Sequence, residues 1–318
     1  RFNGTQSGTW TFTTQADGNN GTDDDSDLDG HTGTVDVSPA SSSATGFVKG
    51  VGNKFAVQTG PDAELKGYVF NVFMDLYNYD HDNTIQVLET DSDVDGYCDI
   101  AKDHGYEIIS VHVYNEWFSL GDKKHSNHNS TTPDRESFEI LEHIINRAQQ
   151  NGCRVHFWAW GDEYRDWTQA GVGEGINGKE DQRLQRYIAS RLGPLTGWTM
   201  GYGFDLHEWV TRSELRVWAD YMHDHMGWQH LLSARSADLD GEHNINAYAI
   251  NDQEIGDYYE DPFPTTSDII DDLNDDTDNP HLFEERHSYT RWGLDDDDHR
   301  RLTWRTVMAG GMGGWYGY

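Results

Sequence analysis

The sequence predicts an α/β fold, a (β/α)8 TIM barrel preceded by a short N-terminal β-hairpin segment. Three observations carry this expectation. Apolar strand candidates alternate with amphipathic helices in units of about 30 to 40 residues, the pattern of parallel strands joined by crossovers. Eight such strands fall between Phe47 and Tyr318, which suits a closed barrel better than an open sheet. No GxGxxG turn follows the first strand and GxxxxGKS/T is absent from the chain, so the nucleotide-binding α/β folds lack their phosphate-cradling signatures.

Residues 1–46 stand apart from the rest. GTWTFTTQA and HTGTVDVSP are short alternating strands around an Asp/Gly/Asn-rich turn, a hairpin that reads as the tail of a β-sandwich or as an edge hairpin. SPASSSATG, Ser38 to Gly46, is the linker-like stretch. The barrel is expected over residues 47–318. Its first strand lies in GYVFNVFMDLY and precedes a helix near Asp93 to His104. EIISVHVYNEWF comes next, before a helix from Pro133 to Asn151 that Thr132 would cap, with Pro133 in its first turn and Glu136 at the capping-box position. RVHFWAWGDEY leads to a helix from Lys179 to Leu192, and GWTMGYGFDLHEW to one from Ser213 to Met226. QHLLSARSA and INAYAIND follow, then a helix near Thr266 to Asn274, HLFEE, a helix from Asp296 to Met308, and GGWYGY as the eighth strand. Trp198, Trp218 and Trp304 are expected in the core.

Composition narrows the partners. The 318 residues include 56 acidic and 23 basic side chains, a formal net charge of -33. A phosphate backbone is bound by clustered Lys and Arg, so nucleic acid is excluded as an expected partner. Only seven basic residues are Lys, and the acidic excess is largely Asp. That pattern reads as adaptation to molar salt, where a Debye length of about 3 Å screens self-repulsion and dense carboxylates keep the surface hydrated. No stretch approaches the ~18 to 20 apolar residues of a membrane span. The chain begins at Arg1 without Met and carries Asn-x-Ser/Thr sequons at Asn3, Asn20 and Asn129, and both features fit an exported, extracellular or cell-surface protein. Cys98 and Cys153 are too few for a disulfide scaffold and read either as one bridge or as two buried thiols. No cofactor is expected. Two Asp-rich stretches have partial calcium-loop spacing: Asp25 to Gly30 with Asp36 at the twelfth position, and Asp91 to Gly96, where Lys102 stands in place of the last carboxylate. No HExxH zinc spacing occurs.

In a barrel the reacting groups sit at the C-terminal ends of the strands. Those ends are rich here in polar and aromatic residues: Asn115-Glu116-Trp117, Trp160 to Glu163, Asp205 to Trp209, Arg235, Asn251-Asp252, Glu284-Glu285 and Trp315-Tyr316. Flat aromatic faces cover the C–H faces of a pyranose while carboxylates and amides take its hydroxyls. Carbohydrate is therefore the expected partner. Glu208 and Glu285 each end a strand candidate, and a carboxylate so placed is costly unless hydrogen bonded or used in chemistry.

Strands four and seven ending in Glu, Pro280 five residues before Glu285, and the stretch LTWRTVMAGGMGGWYGY together resemble the retaining glycoside hydrolases with (β/α)8 barrels, most closely their apiosidase-like branch. In that group a β-sandwich often precedes the barrel, which would account for residues 1–46. The resemblance implies hydrolysis of glycosidic bonds in an extracellular poly- or oligosaccharide, with Glu208 as general acid/base and Glu285 as nucleophile. It also implies a substrate contact for His207, while Asn115, Glu116, Trp160, Arg235 and Trp315 are expected from their strand-end positions to line the site. The related barrels place Asn before the fourth-strand Glu, where this chain has His207. Regular strand alternation would put Asp205 and His207 on one face and Glu208 on the other, so Glu208 as acid requires the strand to break near Leu206. Asp205 remains the alternative acid and Glu284 the alternative nucleophile. The competing functions are a carbohydrate-binding barrel that has lost catalysis and a structural cell-surface component.

Overall fold

The computed structural model describes residues 6–11, 32–37, 46–52, 54–58, 64–68, 70–73, 85–121, 132–160, 173–203, 209–227, 230–234 and 313–316, with Leu206 and single positions at 267, 270, 297, 300, 301, 304 and 308. Contacts divide the chain into two units: Arg1–Ala44 with Gly60–Asp62, and Thr45–Thr59 with Ala63–Tyr318. The first contains an antiparallel hairpin of β1 (Gln6–Thr11) and β2 (Thr32–Val37), in register from Gln6 opposite Val37 to Thr11 opposite Thr32.

The larger unit opens with a three-stranded antiparallel sheet that the sequence reading passed over: β3 (Phe47–Val51), β4 (Lys54–Gln58) and β5 (Lys66–Tyr68). Its signal was present. Gly52, at φ 58, follows the last residue of β3, where the hairpin turns toward β4 and needs a residue tolerant of positive φ. Val48 and Phe55 pack with Val72, Ile108 and Trp158, and the ring of Phe47 meets that of His230 edge-on at 5.0 Å. This sheet therefore covers the end of the main sheet where the strands begin.

Among the described residues the main sheet has six parallel strands in the order β10, β9, β8, β7, β6, β11. They are β6 (Phe70–Phe73), β7 (Ile108–His112), β8 (Arg154–Trp158), β9 (Trp198–Gly201), β10 (Leu232–Ser233) and β11 (Gly313–Tyr316). The last strand of the chain pairs with the first strand of this sheet, Gly313 opposite Phe70 to Tyr316 opposite Phe73. Such a return is the closure step of a barrel, and the fold is the (β/α)8 TIM type. The expected strands INAYAIND and HLFEE lie outside the described residues. GYVFNVFMDLY, expected as one strand, is two: β5 completes the antiparallel sheet before β6 enters the barrel.

Among the described residues, four helices are complete enough to place on the outer face: α1 (Asp91–Asp103), α2 (Arg135–Gln150), α3 (Lys179–Arg191) and α4 (Arg212–His225). Each buries one stripe. In α2 the stripe is Phe138, Leu141, Ile144, Ile145 and Ala148, all inaccessible to solvent, the i, i+3, i+4, i+7 spacing of a helix face. Burying each large side chain contributes about 1.5–3 kcal/mol. The α2 cap differs from expectation. Asp134, rather than Thr132, caps the helix, because its Oδ2 accepts from both the backbone N and the Oγ of Ser137 at 3.0 and 2.9 Å. Pro133 then precedes the cap instead of opening the helix.

The stretch Asp91 to Gly96 opens helix α1, and two of its carboxylates are paired with Arg147. Asp95 takes a bidentate pair from Arg147 at 2.6 Å on both arms, and Asp91 lies 3.1 Å from the same guanidinium. Asp25 to Gly30 lies outside the described residues. Cys98 and Cys153 are buried free thiols, and the Sγ of Cys153 lies 3.9 Å from the carbonyl of Cys98. Trp198 and Trp218 sit in the core as expected, whereas Trp304 is 64% exposed. Positions 300, 301 and 308 are exposed with it.

Candidate active site

Alternation along the strands gives the sheet two different faces. Ile109, Val111, Val155, Phe157, Trp198 and Met200 point to the helices and join the main core. The residues between them, Ser110, His112, His156, Trp158, Thr199, Gly201 and Ser233, belong to the opposite, interior face by the period of two. They pair across the strands in layers: Ser110, His156 and Thr199 in one, then His112, Trp158, Gly201 and Ser233 in the next. The interior is thus polar and aromatic toward the C-terminal ends.

Each group in these layers has a reason for its place. His156 is inaccessible to solvent and its Nδ1 lies 2.7 Å from the hydroxyl of Thr199. Burial pushes its pKa down to about 3, so the imidazole is neutral at physiological pH. Trp158 fills the space above Gly201. A Cβ at position 201 would stand 2.3 Å from the indole Cζ3 and 2.9 Å from the Nε2 of His156, so glycine is the side chain that lets the indole lie across the strand. His112 stacks on Tyr114 with centroids 5.3 Å apart and planes 28° apart. Tyr114 has φ 50, a left-handed conformation unfavourable for an aromatic residue and one found most often at functional sites.

The strand ends of β7, β8, β9 and β10 are held level. Val113 N donates to Trp158 O at 2.9 Å, Ala159 N to Gly201 O at 2.9 Å, Trp160 N to Tyr202 O at 3.0 Å and Tyr202 N to Ser233 O at 2.9 Å. Residues Tyr114–Trp117 form a 3-10 turn directly after β7. It carries Asn115 and Glu116, and the neighbouring strand carries Trp160, so the structure brings these three expected site residues to adjacent strand ends. All three are buried. Glu116 uses both carboxylate oxygens on backbone, accepting from Ile85 N at 3.2 Å and Gly121 N at 3.0 Å. That makes it a support for the two flanking loops. The indole of Trp117 donates to Ala159 O at 2.8 Å and ties the same turn to β8.

Trp315 lies on β11, opposite Val72 of β6. Glu208, His207, Arg235 and Glu285 lie outside the described residues, as do Asp205 and Glu284. The segment around Glu208 is nevertheless bracketed. Regular strand ends at Gly201, and the carbonyl of Leu206 accepts from Trp209 N at 3.1 Å and Val210 N at 2.9 Å. Trp209 and Val210 are thereby tied to Leu206, beyond the end of β9. Leu206 and Val210 are buried, and Trp209 stacks on Tyr202 with centroids 5.5 Å apart.

His112, Tyr114, Trp158 and Gly201 were missed as a group by the sequence reading. Their signal was a His or Ser every second residue within the apolar runs IISVHVY and RVHFWAW, which a sheet with two apolar faces would not tolerate.

An α/β barrel fold with a polar, aromatic interior toward its C-terminal strand ends is the architecture of the barrel glycoside hydrolases. Residues 84–318 match the family described as apiosidase-like, catalytic domain, and the chain belongs to that family. No curated protein matches its sequence. Its fold is similar to that of a putative glycoside hydrolase from Bacteroides vulgatus, at 14% identity and a TM-score of 0.65, covering 91% of this chain and 58% of that one. A family 5 glycoside hydrolase from the same organism has 16% identity, a TM-score of 0.60 and coverage of 86% and 62%. The endo-1,4-beta-mannanase of Rhizomucor miehei has 12% identity, a TM-score of 0.55 and coverage of 86% and 90%. The chain thus spans less than two thirds of the length of both Bacteroides proteins, and at these identities the likeness is one of fold.

Proposed function

We propose that this chain hydrolyses glycosidic bonds in an extracellular poly- or oligosaccharide, with Glu208 as general acid/base and Glu285 as nucleophile of a retaining mechanism. The observation that carries the reading is the family match over residues 84–318, which spans both carboxylates. The chemistry needs one carboxyl held protonated to release the leaving oxygen and one ionised to attack the anomeric carbon. Regular strand β9 ends at Gly201, before Glu208, so the alternation of that strand does not count against Glu208 as the acid. His112, Tyr114 and Trp158 are buried within the barrel interior and pack beneath the strand ends. Trp315 contributes from the eighth strand, Asn115 and Trp160 from the second and third, and His207 and Arg235 are read as hydroxyl contacts. The acidic surface suits a protein exported into concentrated salt.

The test is turnover of a panel of plant, algal and microbial glycans at molar salt, followed by Glu208→Gln, Asp205→Asn and Glu285→Gln. Loss of a catalytic carboxylate is expected to lower kcat by about 10²–10⁴-fold. Glu285→Gln at wild-type activity removes the nucleophile assignment. An effect of Asp205→Asn without one of Glu208→Gln transfers the acid role to Asp205. Product of inverted anomeric configuration, followed by proton NMR, overturns retention, and sugar binding without turnover overturns the enzyme reading in favour of a binding barrel.

A further inference from the structure

The helices flanking the fourth strand contain a buried polar cluster that the chemistry above does not use. Asp181, in the first turn of α3, is 1% exposed. Its Oδ2 accepts from the backbone N of Asn177 at 2.8 Å and from the Nε2 of Gln185, itself buried, at 2.9 Å. A buried carboxylate is retained at a cost, and the usual compensation is full hydrogen bonding or a functional part.

What the carboxylate holds is informative. Asn177 has φ 57, a left-handed conformation that Asn adopts at some cost and glycine freely. Held there, its side-chain amide donates to the carbonyl of Glu214 at 2.8 Å. Glu214 lies in the first turn of α4 and closes a capping box with Thr211, its carboxylate accepting from Thr211 N at 2.8 Å. Asp181, Asn177, Glu214 and Thr211 thus form one continuous chain of contacts. It ends at the exit of residues 202–211, the segment that bears Asp205, His207 and Glu208. The entry of that segment is fixed separately, by Tyr202 N on Ser233 O and by the edge-on contact of Tyr202 with Trp218 at 4.6 Å.

We propose that Asp181 is a positioning residue for the acid/base segment, acting through Asn177 on the first turn of α4. This rests on the reading that residues 202–211 carry the general acid/base. Charge-assisted bonds from a carboxylate are about twice as strong as neutral ones, so the ionised form holds Asn177 most firmly. Tyr202, at the end of β9, lies near both Asp181 and the Glu214 carboxylate of α4, and Gln185 is on the same helix as Asp181. None is cationic. Burial accordingly pushes the Asp181 carboxyl up to about 7, against the hydrogen bonds from Asn177 and Gln185, so its ionisation changes near neutrality.

Three variants separate positioning from plain stability. Asp181→Asn keeps the shape and removes the charge. Asn177→Gly keeps the left-handed conformation and removes the bridge to Glu214. Asp181→Ala removes both oxygens, and should it fail to fold, the first two still decide the matter. The glycan cleaved fastest by the wild type serves as substrate at molar salt. Asn177→Gly is expected to lower kcat about tenfold with KM within about twofold, the split of an interaction made in the transition state. Asp181→Asn is expected to remove an inflection near pH 7 from the kcat profile. In both, amide hydrogen exchange of peptides covering residues 202–211 is expected to quicken while that of α2 stays unchanged. Wild-type kcat, pH profile and exchange in both variants, whatever happens to the unfolding midpoint, overturn the proposal. The exchange arm needs no turnover, so loss of the glycosidase reading and loss of this inference are separately visible. An inactive wild type ends the former, and unchanged exchange ends the latter.

Discussion

Replacing Gly201 with Ala tests the packing of the barrel interior most directly. Gly201 closes β9 on the inner face, opposite Trp158. Its φ lies outside the left-handed region, so backbone strain does not enter and the cost of a side chain there is steric. The added Cβ would lie 2.3 and 2.5 Å from two carbons of the Trp158 indole and 2.9 Å from the Nε2 of His156. The indole must shift by more than an ångström to restore contact at about 3.5–4.0 Å. Trp158 is 1% exposed and packed beneath by Ile108, Val72 and Phe55, so the shift passes into neighbouring layers. Overpacking of a core costs about 1–3 kcal/mol, and two short contacts with a rigid ring place this case near about 3 kcal/mol. The corresponding fall in Tm is about 6–10 °C for a domain of this size. Gly152→Ala is the control. At φ 77, with open space around the added Cβ, it carries only conformational strain of about 1–2 kcal/mol. Urea unfolding at molar salt, with near-ultraviolet circular dichroism reporting on the indole, measures both. A Gly201→Ala midpoint equal to or above that of Gly152→Ala would refute the close-packing argument.

Two further outcomes follow from charge. Arg147 and Asn151 hold the Asp95 carboxyl down to about 2, against 3.8 for an unperturbed Asp. Stability from this group is therefore complete above about pH 4 and is lost as pH falls through about 2. Asp95→Asn is expected to flatten that window of an acid-unfolding curve, and a slope there equal to the wild type would show that the pair contributes nothing. The net charge of -33 leads us to expect an unfolding midpoint that drops as salt is lowered from molar to about 0.1 M, where the Debye length reaches about 10 Å and self-repulsion is restored. A midpoint independent of salt removes the halophilic reading.

Much of the barrel was legible in the chain because its strands and helices obey local periods. The helix between Lys179 and Leu192 was expected from its apolar spacing and appears as α3 over Lys179–Arg191. The one between Ser213 and Met226 appears as α4 over Arg212–His225. Caps were harder. Thr132 and Asp134 are both competent N-caps, and the choice of Asp134 follows from where α2 docks, with Asp134 N bonded to Trp117 O at 2.8 Å. The antiparallel sheet of β3, β4 and β5 had a readable hairpin signal at Gly52-Asn53. Its position beneath the barrel came only from contacts such as that of Phe47 with His230.

For the site, sequence named the strand ends and the residue types, since polar and aromatic side chains at the end of an apolar run are visible as composition. It could not assign the part each one plays. Glu116 read as a sugar contact, yet its carboxylate holds the amides of Ile85 and Gly121, which lie 31 residues before it and 5 after. Asp181 read as one helix-opening acid among many, and only burial against Tyr202 and α4 set it apart. By itself, then, the sequence determined the fold class, the family pattern and the chemistry on offer, because these rest on periodicity and residue type along the chain. The tertiary structure decided which side chains line the interior, which glycine makes room for an indole, and which acids face backbone amides. Each of these depends on which atoms meet across strands and helices far apart in the chain, and on the burial that fixes the energy of that meeting.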